Sequence, residues 1–277
     1  MSLAMISWAV AWTNAKIVGE YSLSVYNLVF FRFLIGFLSL LPFIILNKIS
    51  LPNLRDVKYI IVPSILFFIY NISFFYGTHY GLAGKGAVLV TTLNPLFTVM
   101  LMAIINRGIL KKELLGVFIG MLGGIIIMNL HIDGMTSILS ANNIYFVICG
   151  ITWGIMTVSI SYAQKVINPY IFISISYLFT MLISIPFIDL AEFQVLKLDF
   201  RFYLNFFFVS IGAMSFGTSI YMYSTPILGP TKASVFIFSV PFIAMGTAYI
   251  LLGEPFALNI VIGGLLSLLA IYIVNRG

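Results

Sequence analysis

Four landmark residues in the first half of the chain recur in the second half at a nearly constant offset. The pairs lie 144 to 147 residues apart, and they are Trp8 with Trp153, Pro42 with Pro186, Pro95 with Pro241, and Gly116 with Gly263. An offset that drifts so little indicates an internal repeat. The sequence therefore predicts two similar units, at 1–130 and 142–276.

Both units consist almost wholly of long apolar runs. The chain is 61% hydrophobic and 8% charged, whereas a soluble domain carries roughly 25% charged residues. Each run approaches the ~20 residues that cross ~30 Å of hydrocarbon as a helix. We therefore expect an all-α integral membrane protein with ten transmembrane helices. The expected spans are 3–18, 24–46, 58–80, 86–105, 113–130, 142–164, 170–188, 203–226, 232–252 and 256–275.

An odd number of helices in each unit determines how the units are related. Because five helices end on the side opposite to where they began, the second unit enters the membrane from the other side, and the units form two inverted five-helix repeats. Transporters that work by alternating access are commonly built this way, with the substrate site near the midplane where the repeats meet. The repeat therefore favours a secondary transporter.

The distribution of Lys and Arg predicts the orientation. With the N-terminus inside, the cytoplasmic side carries Lys48, Arg55, Lys58, Arg107, Lys111, Lys112, Lys165, Lys232 and Arg276. The other side carries Lys16, Lys85, Lys197 and Arg201. Because basic loops stay in the cytoplasm, this count favours a multi-pass protein of the cell (inner) membrane with both termini cytoplasmic. The net charge of +6 then reflects topology, and we expect the lipid bilayer and a small molecule as partners, not a nucleic acid.

Two prolines related by the repeat lie near the middle of their spans. Pro95 and Pro241 each remove a backbone donor, which bends a helix and frees the carbonyl four residues earlier. Recurrence in both repeats favours a gating or cavity role over an ordinary kink. Thr91, Asn94 and Ser239 would then offer polar groups beside the bends.

Tryptophans and amides inside apolar spans are the next candidates for a substrate cavity. Trp8 and Trp153 correspond under the repeat, and with Trp12 they are the chain's three tryptophans. Such rings suit either the wall of a cavity or helix packing. Asn14 and Asn71 are costly to leave unpaired in lipid, so we expect them to face the bundle, towards substrate or another helix.

One charged side chain lies clearly within a span. Arg32 is about 12 Å into the second helix at 1.5 Å per residue, and such a charge costs roughly 2.5–3.5 kcal/mol on insertion scales. It would serve as a counter-charge for an anionic substrate group, or it would be structural and reach carbonyls or Glu20. Tyr76 and Tyr221, on the third and eighth spans, are equally open between cavity and packing.

Groups that would support other classes of function are missing from the spans. All eight Asp and Glu residues fall in or beside loops, so a buried carboxylate for proton relay is unsupported and a facilitator or exchanger fits better. Two separated histidines predict no metal site, and no cofactor is expected. Cys149 has no histidine partner, so an intramembrane enzyme is disfavoured. No repeated polar filter or charge ring suggests a channel.

Small residues fill the fifth and tenth spans. Gly116, Gly120 and Gly124 keep the four-residue spacing that allows helices to approach closely, and Gly263 and Gly264 stand in the tenth span. We assign these helices to scaffolding or to a homodimer formed through helices 5 and 10.

Motifs in a fixed order give the chain a family resemblance. They are Trp8–Lys16 (WAVAWTNAK), Phe31–Phe33 (FRF), Thr92–Pro95 (TLNP), Ser239–Pro241 (SVP) and Leu252–Pro255 (LGEP). In these features the chain resembles EamA-type members of the drug/metabolite transporter (DMT) superfamily. The chain departs from the family pattern at one point. These proteins usually carry Gly-Glu after the proline-containing helix of each repeat, and here the second half has Gly253-Glu254 whereas the first half has Asn106-Arg107 at the corresponding position.

The resemblance implies a central cavity lined mainly by helices 1, 3, 4, 6, 8 and 9, and transport of small metabolites, commonly export of amino acids. We therefore expect a secondary transporter of a small neutral or zwitterionic metabolite. The alternative is a larger anionic metabolite such as a nucleotide-linked conjugate, which would require more than one basic residue on the cavity.

Overall fold

A computed structural model of the chain describes residues 1–128, 143–189, 198–253 and 258–275, and within these ranges it contains helices and no strands. The helices are α1 Ser2–Val18, α2 Val25–Leu46, α3 Lys58–Tyr80, α4 Ala83–Asn106, α5 Lys111–Ile127, α6 Ile144–Ala163, α7 Pro169–Phe187, α8 Phe200–Leu228, α9 Pro230–Leu252 and α10 Leu258–Asn275. The predicted unit boundaries at 130 and 142, the predicted start of the last span at 256, and Glu254 lie outside the described residues.

Eight helices in the described part of the chain are long and apolar enough to cross a membrane, namely α2, α3, α4, α6, α7, α8, α9 and α10. The helices α1 and α5 have 17 residues each, which makes about 25 Å of helix at 1.5 Å per residue. The prediction of an all-α membrane protein is confirmed at this level.

Local signals explain where several helices begin and end. Ser24 and Asn168, 144 residues apart, cap α2 and α7, and each side-chain oxygen accepts a hydrogen bond from the backbone N–H two residues later. Asp199 caps α8 by accepting from the N–H of Phe202 at 2.9 Å. These oxygens satisfy donors that the first helical turn leaves unpaired. Gly229, with φ 84°, makes the left-handed turn that separates α8 from α9.

Two of the long helices are irregular where they pass the middle of the bundle. In α8 the segment Phe208–Thr218 is π-helical. In α9 the turn Phe236–Ser239 is a 3₁₀-helix that ends just before Pro241. This turn corrects one expectation, because the N–H of Val240 donates to the carbonyl of Ile237, so Pro241 does not free that carbonyl. Pro95 instead lies within an uninterrupted α4.

The small-residue faces of α5 and α10 pack against each other within one chain. A Cβ added to Gly123 would lie 2.7 Å from the carbonyl oxygen of Gly263, and one added to Gly116 would overlap the side chain of Val274. Glycine is required at this distance between backbones. A homodimer through helices 5 and 10 would therefore use their outward faces, where Phe118 and Leu265 are exposed.

Candidate functional site

A cavity that is partly open to solvent lies among seven helices: α1, α2, α3, α4, α6, α8 and α9. Seven of the residues that the sequence singles out line it: Trp8, Trp12, Arg32, Asn71, Thr91, Asn94 and Trp153. Both halves of the chain contribute. Neither α5 nor α10 lines this cavity, which agrees with their packing on each other.

The cavity lies at mid-length of the helices that form it. Trp153 is the tenth of the 20 residues of α6, and Asn94 is the twelfth of the 24 residues of α4. Met214 is the fifteenth of the 29 residues of α8. Lining residues at the centres of their helices are farthest from both ends, which is where small-molecule sites lie in transporters with inverted repeats.

Aromatic rings from both halves form one wall. Trp8 and Trp153 meet edge to face with ring centroids 5.0 Å apart. Tyr221 lies 4.8 Å from Trp8, and Tyr70 lies 4.8 Å from Trp153. Phe67 extends this aromatic wall, with its centroid 6.0 Å from that of Trp153. Such a surface suits the apolar part of a small organic molecule.

The two repeat-related indoles differ in their hydrogen bonds. Trp8 Nε1 donates to the carbonyl of Ala213 at 3.1 Å and to Thr218 Oγ1 at 3.3 Å. Trp153 Nε1 is buried and has no partner with hydrogen-bond geometry. A buried donor without a partner is costly, and because Trp153 Nε1 is itself enclosed, its N–H is not exposed to the cavity.

The π-helical segment of α8 ties three other helices to the cavity. Four of its carbonyl oxygens, those of Val209, Gly212, Ala213 and Met214, accept hydrogen bonds from Arg32, Ser7, Trp8 and Tyr177 respectively. A π-helix widens the hydrogen-bond ladder, and such segments are frequent at functional sites. Here side chains of α1, α2 and α7 take up the exposed carbonyls.

Arg32 enters the cavity from α2 and is 5% exposed. Its Nε donates to the carbonyl of Val209 at 3.1 Å, and its Nη1 donates to Asn71 Oδ1 at 2.5 Å. The guanidinium carbon lies 5.0 Å from the ring centroid of Phe74 and 5.5 Å from that of Phe75. These contacts orient the charge without neutralising it.

For a structural Arg32 the sequence left two partners open, and the structure shows a backbone carbonyl, that of Val209, and not Glu20. Glu20 Oε2 pairs instead with Arg201 Nη1 at 3.0 Å, at one end of the bundle. Glu20 is in the α1–α2 connection and Arg201 is in the first turn of α8, so this pair joins the two halves. Arg32 is held by neutral groups in the described part of the chain.

A second contact at the same end of the bundle is a strong hydrogen bond. The Tyr21 hydroxyl donates to Asp199 Oδ1 at 2.5 Å. This bond, together with the one from the Phe202 N–H, lowers the pKa of Asp199, and it raises the pKa of Tyr21. With the Glu20–Arg201 pair it forms a polar clasp between the α1–α2 connection and the start of α8.

On α4, the polar lining is formed by two residues one turn apart. Thr91 Oγ1 donates to the Ala87 carbonyl, and Asn94 Oδ1 accepts from Thr98 Oγ1 at 3.2 Å. Because Pro95 has no N–H, the carbonyl of Thr91 lacks its usual helical donor. The α4 lining therefore presents hydroxyl, amide and carbonyl groups.

Three residues predicted for the cavity lie elsewhere. Asn14 donates to its own helix, at the Val10 carbonyl, and Ser239 donates to the Phe236 carbonyl. Tyr76 stacks on Tyr80 and Tyr145. For Tyr76 helical geometry is the reason, because it follows the lining residue Phe74 by two positions, which turns it to the opposite face of α3.

Three more residues singled out in the sequence, Tyr221, Pro95 and Pro241, are not among those that line the cavity. Tyr221 packs against Trp8 of the aromatic wall. Several residues that do line the cavity were not predicted. The residues missed include Phe67, Phe74, Ala213, Met214, Ile237 and Val240. On α3, the spacing 67, 70, 71 and 74 follows one helical face, and this was the available signal.

No group of three or more His, Cys, Asp and Glu side chains in the described ranges could hold a metal ion. Cys149 is buried on α6, and its Sγ lies 3.4 Å from the carbonyl oxygen of Tyr70. The chemistry that the cavity offers is therefore hydrogen bonding, aromatic contact and one positive charge.

Comparison with known proteins gives a family and a fold. The model of the EamA-like transporter family matches residues 1–129 and 141–276. No curated protein sequence matches the chain. A crystal structure described only as that of a protein has a TM-score of 0.74 at 15% identity, covering 99% of this chain and 96% of the other, which is a likeness of fold alone.

Proposed function

The chain belongs to the EamA-like transporter family of the DMT superfamily, and from that premise we propose that it is a secondary transporter of a small neutral or zwitterionic metabolite. An amino acid or a related compound, moved outward, is the substrate class we favour. Members of the family are membrane transporters, not enzymes.

One observation carries this proposal: repeat-related residues from the two halves meet in the wall of the mid-length cavity. Trp8 of α1 and Trp153 of α6 stand 145 residues apart in the chain, and their rings are in contact. If the two halves rock against each other, this contact opens and closes around the solute. Alternating access in transporters with repeats works by such movement about a fixed central site.

The proposed topology has ten transmembrane helices in two inverted repeats, at 1–130 and 142–276, with both termini in the cytoplasm of a cell (inner) membrane. The matching offsets of Ser24 and Asn168 at the helix caps, and of the two tryptophans, support the repeat. The excess of Lys and Arg in alternate loops supports the orientation.

The cavity chemistry supports a small solute over a large anionic conjugate. Arg32 is the one charged residue among the seventeen that line the cavity. A nucleotide-linked compound carries several negative charges, and the other basic candidates, Lys85 and Lys232, are not among the lining residues. A cationic solute is disfavoured because the lining contains no carboxylate.

The test uses the tryptophans as reporters. All three tryptophans of the chain line the cavity, so a solute that enters should change the intrinsic fluorescence of the detergent-solubilised protein. It should also raise the melting temperature, because a ligand that binds the folded state stabilises it by mass action. The panel contains amino acids, amines, nucleosides and nucleotide conjugates.

Variants assign the response to the cavity. Trp153→Ala and Asn94→Ala should abolish the thermal shift, whereas Asn47→Ala, at the exposed end of α2, should keep it. Binding of amino acids that survives both cavity substitutions would contradict the proposed site. Binding of nucleotide conjugates alone would contradict the proposed substrate class.

A further inference from the structure

The guanidinium of Arg32 has more donors than partners. It carries five N–H groups in a planar fork, and its hydrogen bonds use Nε and one N–H of Nη1. The residue lines the cavity and is not fully enclosed, since 5% of its surface is exposed. The remaining donors are therefore available to a molecule in the cavity.

The charge of Arg32 is also uncompensated by the lining. None of the other sixteen lining residues is acidic, and its two acceptors are a backbone carbonyl and an amide oxygen. Charged side chains inside a membrane are expensive and usually pair or mark a substrate path. A bound anion would supply the missing partner.

The neighbours of Arg32 hold it in a binding geometry. Asn71 Nδ2 donates to the carbonyl of Phe67 at 2.8 Å, which fixes the amide so that its oxygen faces the guanidinium. The rings of Phe74 and Phe75 lie beside the guanidinium. Groups that are oriented before the ligand arrives lower the entropic cost of binding.

We propose that Arg32 binds a carboxylate of the transported solute, and that the substrates are small zwitterionic monocarboxylates whose apolar part lies on the aromatic wall. This inference rests on the proposed transport function. A guanidinium fork matches the two oxygens of a carboxylate.

The experiment compares acids with compounds in which a carboxamide replaces the carboxylate. Purified protein is titrated with amino acids, with the corresponding deamino carboxylic acids, and with the carboxamides of both, using tryptophan fluorescence. We expect the acids to bind and the carboxamides to bind at least tenfold more weakly. Arg32→Gln should weaken binding of the acids by about tenfold to a hundredfold, the range for a hydrogen bond to a charged group, and Arg32→Lys should restore part of it. Arg55→Gln, in an exposed loop, is the matched control and should bind as wild type.

A second variant keeps the test decisive if Arg32→Gln fails to fold. Arg32→Lys keeps the positive charge but loses the planar fork, so the preference for acids over carboxamides should fall severalfold without vanishing. A purely structural arginine would leave this preference as in the wild type.

The outcomes separate the inference from the function on which it rests. Equal binding of acids and carboxamides, or an unchanged preference for acids in Arg32→Lys, would overturn the role of Arg32 and leave the transporter proposal standing. Failure of every member of the panel to bind would overturn the small-metabolite proposal itself, and the inference with it.

Discussion

Replacing Gly123 by Ala tests whether α5 and α10 are closely packed on each other, apart from the cavity. The added Cβ would lie 2.7 Å from the Gly263 carbonyl oxygen and 3.0 Å from Ser267 Oγ, whereas ordinary contacts lie at 3.4–4 Å. The nearer atom belongs to the backbone, so the helices must separate by several tenths of an ångström. Forcing extra volume into a packed interface typically costs about 1–3 kcal/mol.

A control is needed because alanine itself favours a helix, by about 1 kcal/mol over glycine. Gly246→Ala provides it, since Gly246 lies inside α9 and a Cβ there would meet nothing within 4 Å. Both substitutions share the gain in helix propensity. Their difference in the free energy of unfolding therefore isolates the packing cost, and we expect the Gly123→Ala protein to be about 1–3 kcal/mol less stable than the control.

The assay is denaturation in detergent followed by circular dichroism, together with ligand titration of the folded protein. The dissociation constant of a bound solute should not change in Gly123→Ala, because α5 does not line the cavity. Equal stability of the two variants would refute the close approach of α5 and α10. A large loss of affinity at full folding would refute their separation from the substrate site.

Two further substitutions have expected outcomes. Tyr177→Phe removes the buried hydroxyl that donates to the Met214 carbonyl, and it should lower the free energy of unfolding by about 1–3 kcal/mol in the same denaturation assay, whereas Tyr223→Phe, half-exposed, should have little effect. In the wild type, the pKa of Asp199 is lowered, so its ionised form stabilises the folded state. This contribution to the free energy of unfolding is complete above the ordinary pKa of a carboxyl group, and it is lost as the pH falls through the lowered pKa. When the melting temperature is measured as a function of pH, the fall at acid pH should therefore occur at higher pH in Tyr21→Phe than in the wild type. An unchanged acid profile would argue against the hydrogen bond.

The helices were largely predictable from the sequence because charge, Pro and Gly mark their ends. The span 58–80 coincides with α3. The eighth span begins at Phe200, three residues earlier than predicted, because Asp199 caps it. The π-helical and 3₁₀ segments of α8 and α9 were not predictable, since they depend on side-chain donors from other helices and on the position of Pro241 in the bundle.

The site was predictable only where polarity or the repeat marked it. Trp153 and Asn94 stand out in apolar runs and do line the cavity, whereas Asn14 has the same signal and faces its own helix. Ala213 and Met214 carry no signal, because residues that face lipid and residues that face an apolar cavity are alike in composition. Position on the helix face, which the packing determines, decides between them.

The central claim is that the two halves move against each other around one cavity. The most direct test joins them at the polar clasp with Glu20→Cys and Arg201→Cys, in a Cys149→Ser background, using a bifunctional thiol reagent. The joined protein is reconstituted in liposomes, and exchange of a radiolabelled solute across the membrane should stop. Its tryptophan fluorescence should still report binding of the solute. Cleavage of the reagent should restore exchange. Undiminished exchange across the membrane in fully joined protein would contradict the account.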